Sequence, residues 1–298
     1  MESVQKGIYT YTDVWKNVNN SLLPSGLILS NAISNEALLI RLLCGTLKVE
    51  YFSGDTKKKF IQKTDYSSFN NTNNTSLKSN IIKDFFSLES LKDEEKEKIN
   101  KYLLLNRKNF FIHEQLLSEL TSAIIWAKNS PVESFVHIYR SLEFMSYSFP
   151  LIYTSKSMDY RGSYEKLKKF FNGDANGELK FFKTFLNELF KDNILNSYEF
   201  EAFFLNSSDL IKEELNKVIA QPYYTFDENT MKIKFLNIID LIIIIRNRYF
   251  HMLIGTGNYN FYDIQYDKRE IFKSLNPIFI TWLTIIYKEI ATYSLGIV

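Results

Sequence analysis

Cysteine occurs once in this chain, at Cys44, which excludes an intramolecular disulfide and a cysteine-based zinc site. Beside Leu42 and Leu43 it reads as a small core residue of a protein kept in a reducing compartment, not as a reactive thiol. Proline and glycine are scarce as well, 5 and 10 residues among 298. That scarcity argues for long helices and against a turn-rich all-β fold. Excess charge is also missing: the net charge is +2. Such a chain is no basic nucleic-acid coat, so any RNA contact must come from a local patch. Aromatic residues, by contrast, make up 16% and charged residues 23% of the chain, a globular composition with enough length for one large or two modest domains. Residues 1–16 are polar and lack the apolar stretch of a signal peptide, so none is expected. Residues 235–254 are long enough to span a bilayer, but they carry Asn237, Asp240, Arg246, Asn247, Arg248 and His251, a costly load in lipid. A buried core helix in a cytoplasmic protein, with no membrane partner, is the expectation.

The pattern divides the chain into a mixed α/β part, residues 1–106, and a helical part, residues 107–298, for an α+β fold class overall. In the first part, residues 7–14 alternate as a strand does, residues 35–44 have helical character, and residues 46–52 with 57–63 predict a hairpin. The Ser/Asn/Thr-rich stretch 67–80 predicts an exposed loop, and Ser90 to Asp93 a helix start leading into residues 94–105. No Gly-rich phosphate loop, metal-ligand cluster or nucleophile with a nearby base stands out there. In the second part, residues 110–128 read as a helix. Ser130-Pro131-Val132-Glu133 follows as a capping box with proline at the first helical position. Further helices are predicted over 164–171, 178–192, 230–253 and 268–293, with Pro277 bending or splitting the last. Several antiparallel helices with short connections make a bundle. Gly255-Thr256-Gly257 closes a helix, where outward carbonyls repel phosphate, and is not read as a nucleotide loop.

One six-residue run carries chemistry. Arg246-Asn247-Arg248-Tyr249-Phe250-His251 follows the most apolar stretch of the chain, where charged and amide groups need partners. This R-N-x-x-x-H pattern on a helix resembles the signature of the HEPN superfamily, all-helical domains that include many metal-independent ribonucleases. Residues 135–144, with Arg140 and Glu143, also look like the earlier long helix of HEPN proteins in toxin and phage-defence settings. The resemblance covers residues 107–298 and implies an all-α bundle, with Arg246 and His251 catalytic and Glu143 facing them. It implies a symmetric homodimer with a composite site, RNA (tRNA among the candidates) as substrate, and control by an antitoxin or ATPase partner. HEPN toxins paired with nucleotidyltransferase antitoxins carry a tyrosine two places after the histidine. Here that place is Leu253, so modification of that tyrosine is not available.

The residue types suit the chemistry independently of the family. Cleavage by internal 2′-hydroxyl attack needs a base, an acid and positive charge on the phosphorane. Histidine titrates near neutrality, and arginine presents a permanent planar fork to phosphate oxygens. No metal and no cofactor is called for. Helical geometry, about 100° per residue, puts Asp240, Asn247 and His251 on one stripe, with Arg246 about 140° away from His251. Asn247 is therefore expected to orient His251. Arg246 and His251 converge only if the helix distorts or a second subunit contributes. Asp240 either supports the site or pairs structurally with a lysine or arginine, Arg140 and Glu143 form either an intrahelical pair or part of the site, and Arg248 faces solvent or RNA. His113 and His137 read as exposed or core histidines. The expected function is a metal-independent endoribonuclease acting as a toxin or abortive-infection effector. The alternative is a HEPN-like module that binds nucleotide, RNA or a partner protein without cleaving.

Overall fold

The computed structural model describes residues 3–14, 22–69, 78–156, 159–171, 179–204, 224–227, 229–250 and 265–297. The fold is α+β, and it divides into two compact units, Met1–Ile125 with Leu283–Val298, and Trp126–Trp282. Among the described residues no helix is long and apolar enough to cross a membrane.

The first unit is built on an antiparallel meander of four strands, β1 (Ser3–Lys6), β2 (Tyr9–Asp13), β3 (Leu47–Ser53) and β4 (Thr56–Ile61), paired in that order. Lys6 faces Tyr9 across one tight turn and Ser53 faces Thr56 across the other, with Gly7 and Gly54 both at φ +57°. Only glycine takes that conformation without cost. The expected 46–63 hairpin is thus present, whereas residues 7–14 belong to a hairpin with β1. The sheet's inward face meets α4 (Phe110–Trp126): the Tyr9 hydroxyl lies 2.7 Å from Ser122 Oγ and the Tyr11 hydroxyl 2.9 Å from Thr121 Oγ1. Buried tyrosines need such partners for their hydroxyls.

Helix α1 (Asn35–Leu43) is buried along its whole length, and Ser34 Oγ accepts the Ala37 N–H at 3.1 Å as its cap. Burial brings Arg41 inside, at 1% exposure. Its guanidinium donates to the Asp13 carboxylate, to Thr46 Oγ1 at 3.1 Å and to the Leu27 carbonyl at 3.1 Å. A buried charge persists only when paired in this way. Cys44 follows, fully buried, its thiol pushed well above the usual range by burial. Helix α2 (Lys78–Phe85) begins within the stretch expected to be loop. Helix α3 (Asp93–Leu105) starts with Asp93, Glu94 and Glu95 in its first turn, but the cap position is Lys92 and no side chain caps it. The three carboxylates complement the positive end of the helix instead.

In the second unit, α5 (Pro131–Ser155) opens at Pro131 as expected, but the Ser130 side chain caps nothing. Its backbone, at φ −139° and ψ 70°, departs from the extended geometry that aims a capping hydroxyl at the first free amides. Pro150 sits inside the helix, which runs on past it. Helices α6 (Tyr160–Phe171) and α7 (Lys180–Leu189) follow. Residues 107–298 are not the all-α bundle expected, because three strands fall within them. Strands β5 (Glu199–Phe203), β6 (Tyr224–Asp227) and β7 (Thr230–Lys234) form an antiparallel sheet in the order β5-β7-β6. Residues 230–234 were expected to begin a long helix. Met231 and Ile233 are buried while Lys232 and Lys234 are not, a two-residue period that suits a strand. Only from Ile238 does the apolar run become α8 (Ile238–Phe250).

Helix α9 (Gln265–Ile297) passes through Pro277 without splitting. Its residues up to Trp282 belong to the second unit and the remainder to the first. In the second unit it supplies Phe272 and Phe279, whose ring centroids lie 4.9 and 6.0 Å from that of Phe135 on α5. The Asn276 amide donates to the Pro131 carbonyl at 2.7 Å, and Trp282 Nε1 to the Phe235 carbonyl at 3.0 Å. These bonds fix the start of α5 and the turn before α8.

Candidate functional site

Helix α8 is apolar because most of it is core: Ile238, Ile239, Leu241, Ile242 and Ile245 are all buried. Its polar residues therefore crowd at the C-terminal end, where Arg246 is half-buried and Asn247 exposed. Arg246 lies over the face of Tyr139 on α5, its guanidinium carbon 5.0 Å from the ring centroid. A cation held over an aromatic face gains about 0.5–2 kcal/mol, more as the pair is desolvated. Tyr139 is 8% exposed, so this stack is sheltered. Arg246 Nη1 also donates to Asn247 Oδ1 at 3.0 Å. The stack orients the guanidinium without itself neutralising it.

The other expected site residues distribute as follows. Asp240 Oδ2 accepts from Lys183 Nζ of α7 at 2.6 Å, the structural pairing that was one of its two expected roles. Glu143 is half-buried on α5, one helical turn beyond Tyr139, and Arg140 is exposed. Tyr139 stands against Arg246, a residue the sequence reading missed. The signal was available, since a residue four before Glu143 shares its face of the helix. The Asn247 oxygen receives Arg246 Nη1, and the expected contact of Asn247 with His251 falls outside the described residues. The side chain of Arg248 and the whole of His251 lie outside the described residues.

His113 and His137 prove to be different cases. His137 is half-buried on α5. His113 is a core residue of the first unit at 5% exposure, with Nε2 3.5 Å from Glu36 Oε1 and its ring edge-on to Tyr287. Burial pushes its pKa down to about 4, with a hydrogen bond to the Asn109 backbone pulling the other way. Glu36 is buried too and also accepts from the Tyr102 hydroxyl at 2.5 Å and Asn106 Nδ2 at 3.2 Å. This Glu36–Tyr102–Asn106–His113 cluster had no local signature, because its members come from α1, α3, the turn after it and α4.

Compared with known protein families, with curated proteins and with solved structures, the chain finds no match. The functional reading therefore rests on the motif and on the surroundings of Arg246.

Proposed function

We propose that this protein is a metal-independent endoribonuclease of the HEPN type, acting in the cytoplasm as a toxin or abortive-infection effector against phage. The observation that carries the reading is the R-N-x-x-x-H motif in the sequence, with its arginine, near the end of core helix α8, held in a fixed orientation over Tyr139. In the proposed reaction His251 takes the proton of a ribose 2′-hydroxyl. The 2′-oxygen attacks the adjacent phosphorus, the bond from phosphorus to the 5′-oxygen breaks, and a second histidine delivers a proton to that oxygen. The products are a 2′,3′-cyclic phosphate and a free 5′-hydroxyl. Arg246 stabilises the charge on the crowded phosphorane. One chain supplies one motif histidine where acid and base are both needed, so the site is composite, formed across the axis of a homodimer. Release of activity is controlled by an antitoxin or ATPase partner.

The test is incubation of purified wild-type and His251→Ala protein with total RNA and with purified tRNA in EDTA, followed by end-group analysis. Cleavage by the wild type that leaves cyclic phosphate ends, lost in the variant, supports the proposal. Full activity in the variant overturns it. One observation favours a second reading, a HEPN-like module that binds nucleotide, RNA or a partner protein without cleaving: Arg246 is tied into its own fold by Tyr139 and Asn247. RNA binding with no cleavage by the wild type, dimeric and free of partners, selects that reading.

A further inference from the structure

Residues 104–111, where α3 hands over to α4, form an apolar ridge that the proposed ribonuclease does not use. Leu104, Leu105, Phe110 and Phe111 are 57%, 46%, 55% and 64% exposed. Arg107 and Lys108 stand between them and are exposed as well. Single apolar residues at a surface need no explanation, but four within so short a segment form a patch, and patches mark interaction sites.

Backbone winding gathers these side chains on one side. The chain passes from α3 to α4 through a single 3₁₀ turn, Asn106–Asn109. With about 100° per residue in the α segments and about 120° in the turn, all six fall within an arc of about 140°. Unbroken α geometry would scatter them over about 220°. Tyr102, Leu103, Asn106 and His113 lie outside that arc, and all four are buried. The ridge is also anchored from below: the Tyr102 hydroxyl and the Asn106 amide both donate to Glu36 Oε1, at 2.5 and 3.2 Å.

Charge decides what covers the ridge. No Asp or Glu occurs between Lys98 and His113 in the sequence, and the two exposed cations sit in the middle of the ridge. A second copy packed here about a two-fold axis would set these cations against their own kind, which disfavours self-association. An anionic surface with an apolar interior accepts both kinds of group at once.

We infer that this ridge docks on the surface of an anionic lipid bilayer. Leu104, Leu105, Phe110 and Phe111 enter the boundary between headgroups and acyl chains, while Arg107 and Lys108 stay at the headgroup phosphates. The expectation of no membrane partner concerns spanning segments, and surface contact needs none: among the described residues no helix is long and apolar enough to cross a membrane. Every residue of the ridge belongs to the first unit, so membrane docking stands or falls separately from the ribonuclease reading.

The experiment is co-sedimentation of the full-length protein with phosphatidylcholine vesicles and with vesicles of equal parts phosphatidylcholine and phosphatidylglycerol. Binding to the mixed vesicles is expected, about tenfold or more stronger than to the neutral ones. Arg107→Ala/Lys108→Ala lowers binding to the mixed vesicles by about tenfold. Lys57→Ala/Lys59→Ala, which removes the same charge from the exposed side chains of β4, leaves it unchanged. Phe110→Ser/Phe111→Ser lowers it by about tenfold or more. The substituted side chains are all exposed, and thermal melts check that the variants fold. In Phe111→Trp protein the added indole emission shifts to the blue on mixed vesicles and is quenched by brominated acyl chains. No binding to the mixed vesicles at low salt overturns the proposal. So does undiminished binding by folded Phe110→Ser/Phe111→Ser protein, an unshifted indole, or an equal loss from Lys57→Ala/Lys59→Ala. A solution dimer that Phe110→Ser/Phe111→Ser dissociates would give the ridge to a second copy and overturn it as well.

Discussion

Lys183 Nζ of α7 stands 2.6 Å from Asp240 Oδ2 of α8, and this pair explains an acidic residue in the first turn of an apolar helix. Asp240 follows Ile238 and Ile239, both buried, and its side chain is only 17% exposed. A carboxylate there needs a counter-charge, and α7 supplies it from 57 residues away. Lys183 is 39% exposed, so solvent screens much of the attraction. Asp240→Asn is expected to cost about 1 kcal/mol, and Lys183→Met about the same, with the double variant costing less than the sum. Urea denaturation of the three proteins checks this. A pair that serves packing alone predicts that folded Asp240→Asn protein cleaves RNA as the wild type does.

The Arg246–Tyr139 stack gives a different pattern. Tyr139→Phe keeps the ring and should leave cleavage near wild type. Tyr139→Leu removes the aromatic face and should slow single-turnover cleavage by about tenfold, since a sheltered cation–π contact contributes about 1–2 kcal/mol. The loss should appear in kcat more than in KM, as expected for a residue that positions the group acting on the phosphorane. Arg246→Lys keeps the charge but loses the planar fork, with an expected loss of about 100-fold. A Lys variant as active as the wild type would remove Arg246 from transition-state stabilisation.

His113 makes the first unit sensitive to acid. Its folded pKa is about 4, well below the 6.5 of a free imidazole, chiefly because burial disfavours the charged form. The unfolded chain therefore binds the extra proton first. The contribution is fully present above about pH 6.5, falls as the pH drops, and is lost below about pH 4, a change of up to roughly 3 kcal/mol. Glu36 faces it with its carboxylate 3.5 Å away, and Tyr287, held neutral by burial, lies edge-on to its ring. His113→Gln should flatten the stability profile between pH 6.5 and 4.5. Denaturant titrations at three pH values would show this, and an unchanged slope would remove His113 as the source of the acid sensitivity.

Local patterns in the sequence went far with the helices and much less far with the sheets. The start of α5 at Pro131 and the 46–63 hairpin were legible, because proline placement and alternation act within a few residues. Strand β7 was not, because residues 230–234 adjoin an apolar run, its hairpin partner Tyr224–Asp227 is only four residues long, and its other partner, Glu199–Phe203, is some thirty residues earlier in the chain. Nor did Pro277 stop α9: packing of Phe272, Leu275 and Phe279 on either side outweighs one lost backbone bond. At the candidate site, Arg246 and Asn247 were readable from their spacing. Tyr139 and Lys183 required the helices to be brought together, and no spacing rule reaches that far.

Gly45 tests whether the first unit depends on close backbone approach at the exit of α1. Its φ is +70°, and a Cβ built there would meet the Lys63 carbonyl carbon and oxygen at 2.6 Å and the Thr64 oxygen at 2.7 Å. The neighbours are backbone and cannot swing away as a side chain would. Residues 63–64 are themselves held, since the Thr64 carbonyl accepts from Gln62 Nε2 at 2.9 Å and Tyr66 N–H donates to the Leu43 carbonyl at 2.9 Å. Gly45→Ala is therefore expected to cost about 2–4 kcal/mol, conformational penalty and displaced backbone together. Gly54 provides the control. It has φ +57° but nothing within 4 Å of its would-be Cβ. Asparagine tolerates this left-handed conformation better than other non-glycine residues. Gly54→Asn should then cost less than about 1 kcal/mol, while Gly45→Asn should be as damaging as Gly45→Ala. Equal tolerance at the two positions would mean that the α1–β3 junction yields more readily than the contacts at Gly45 require.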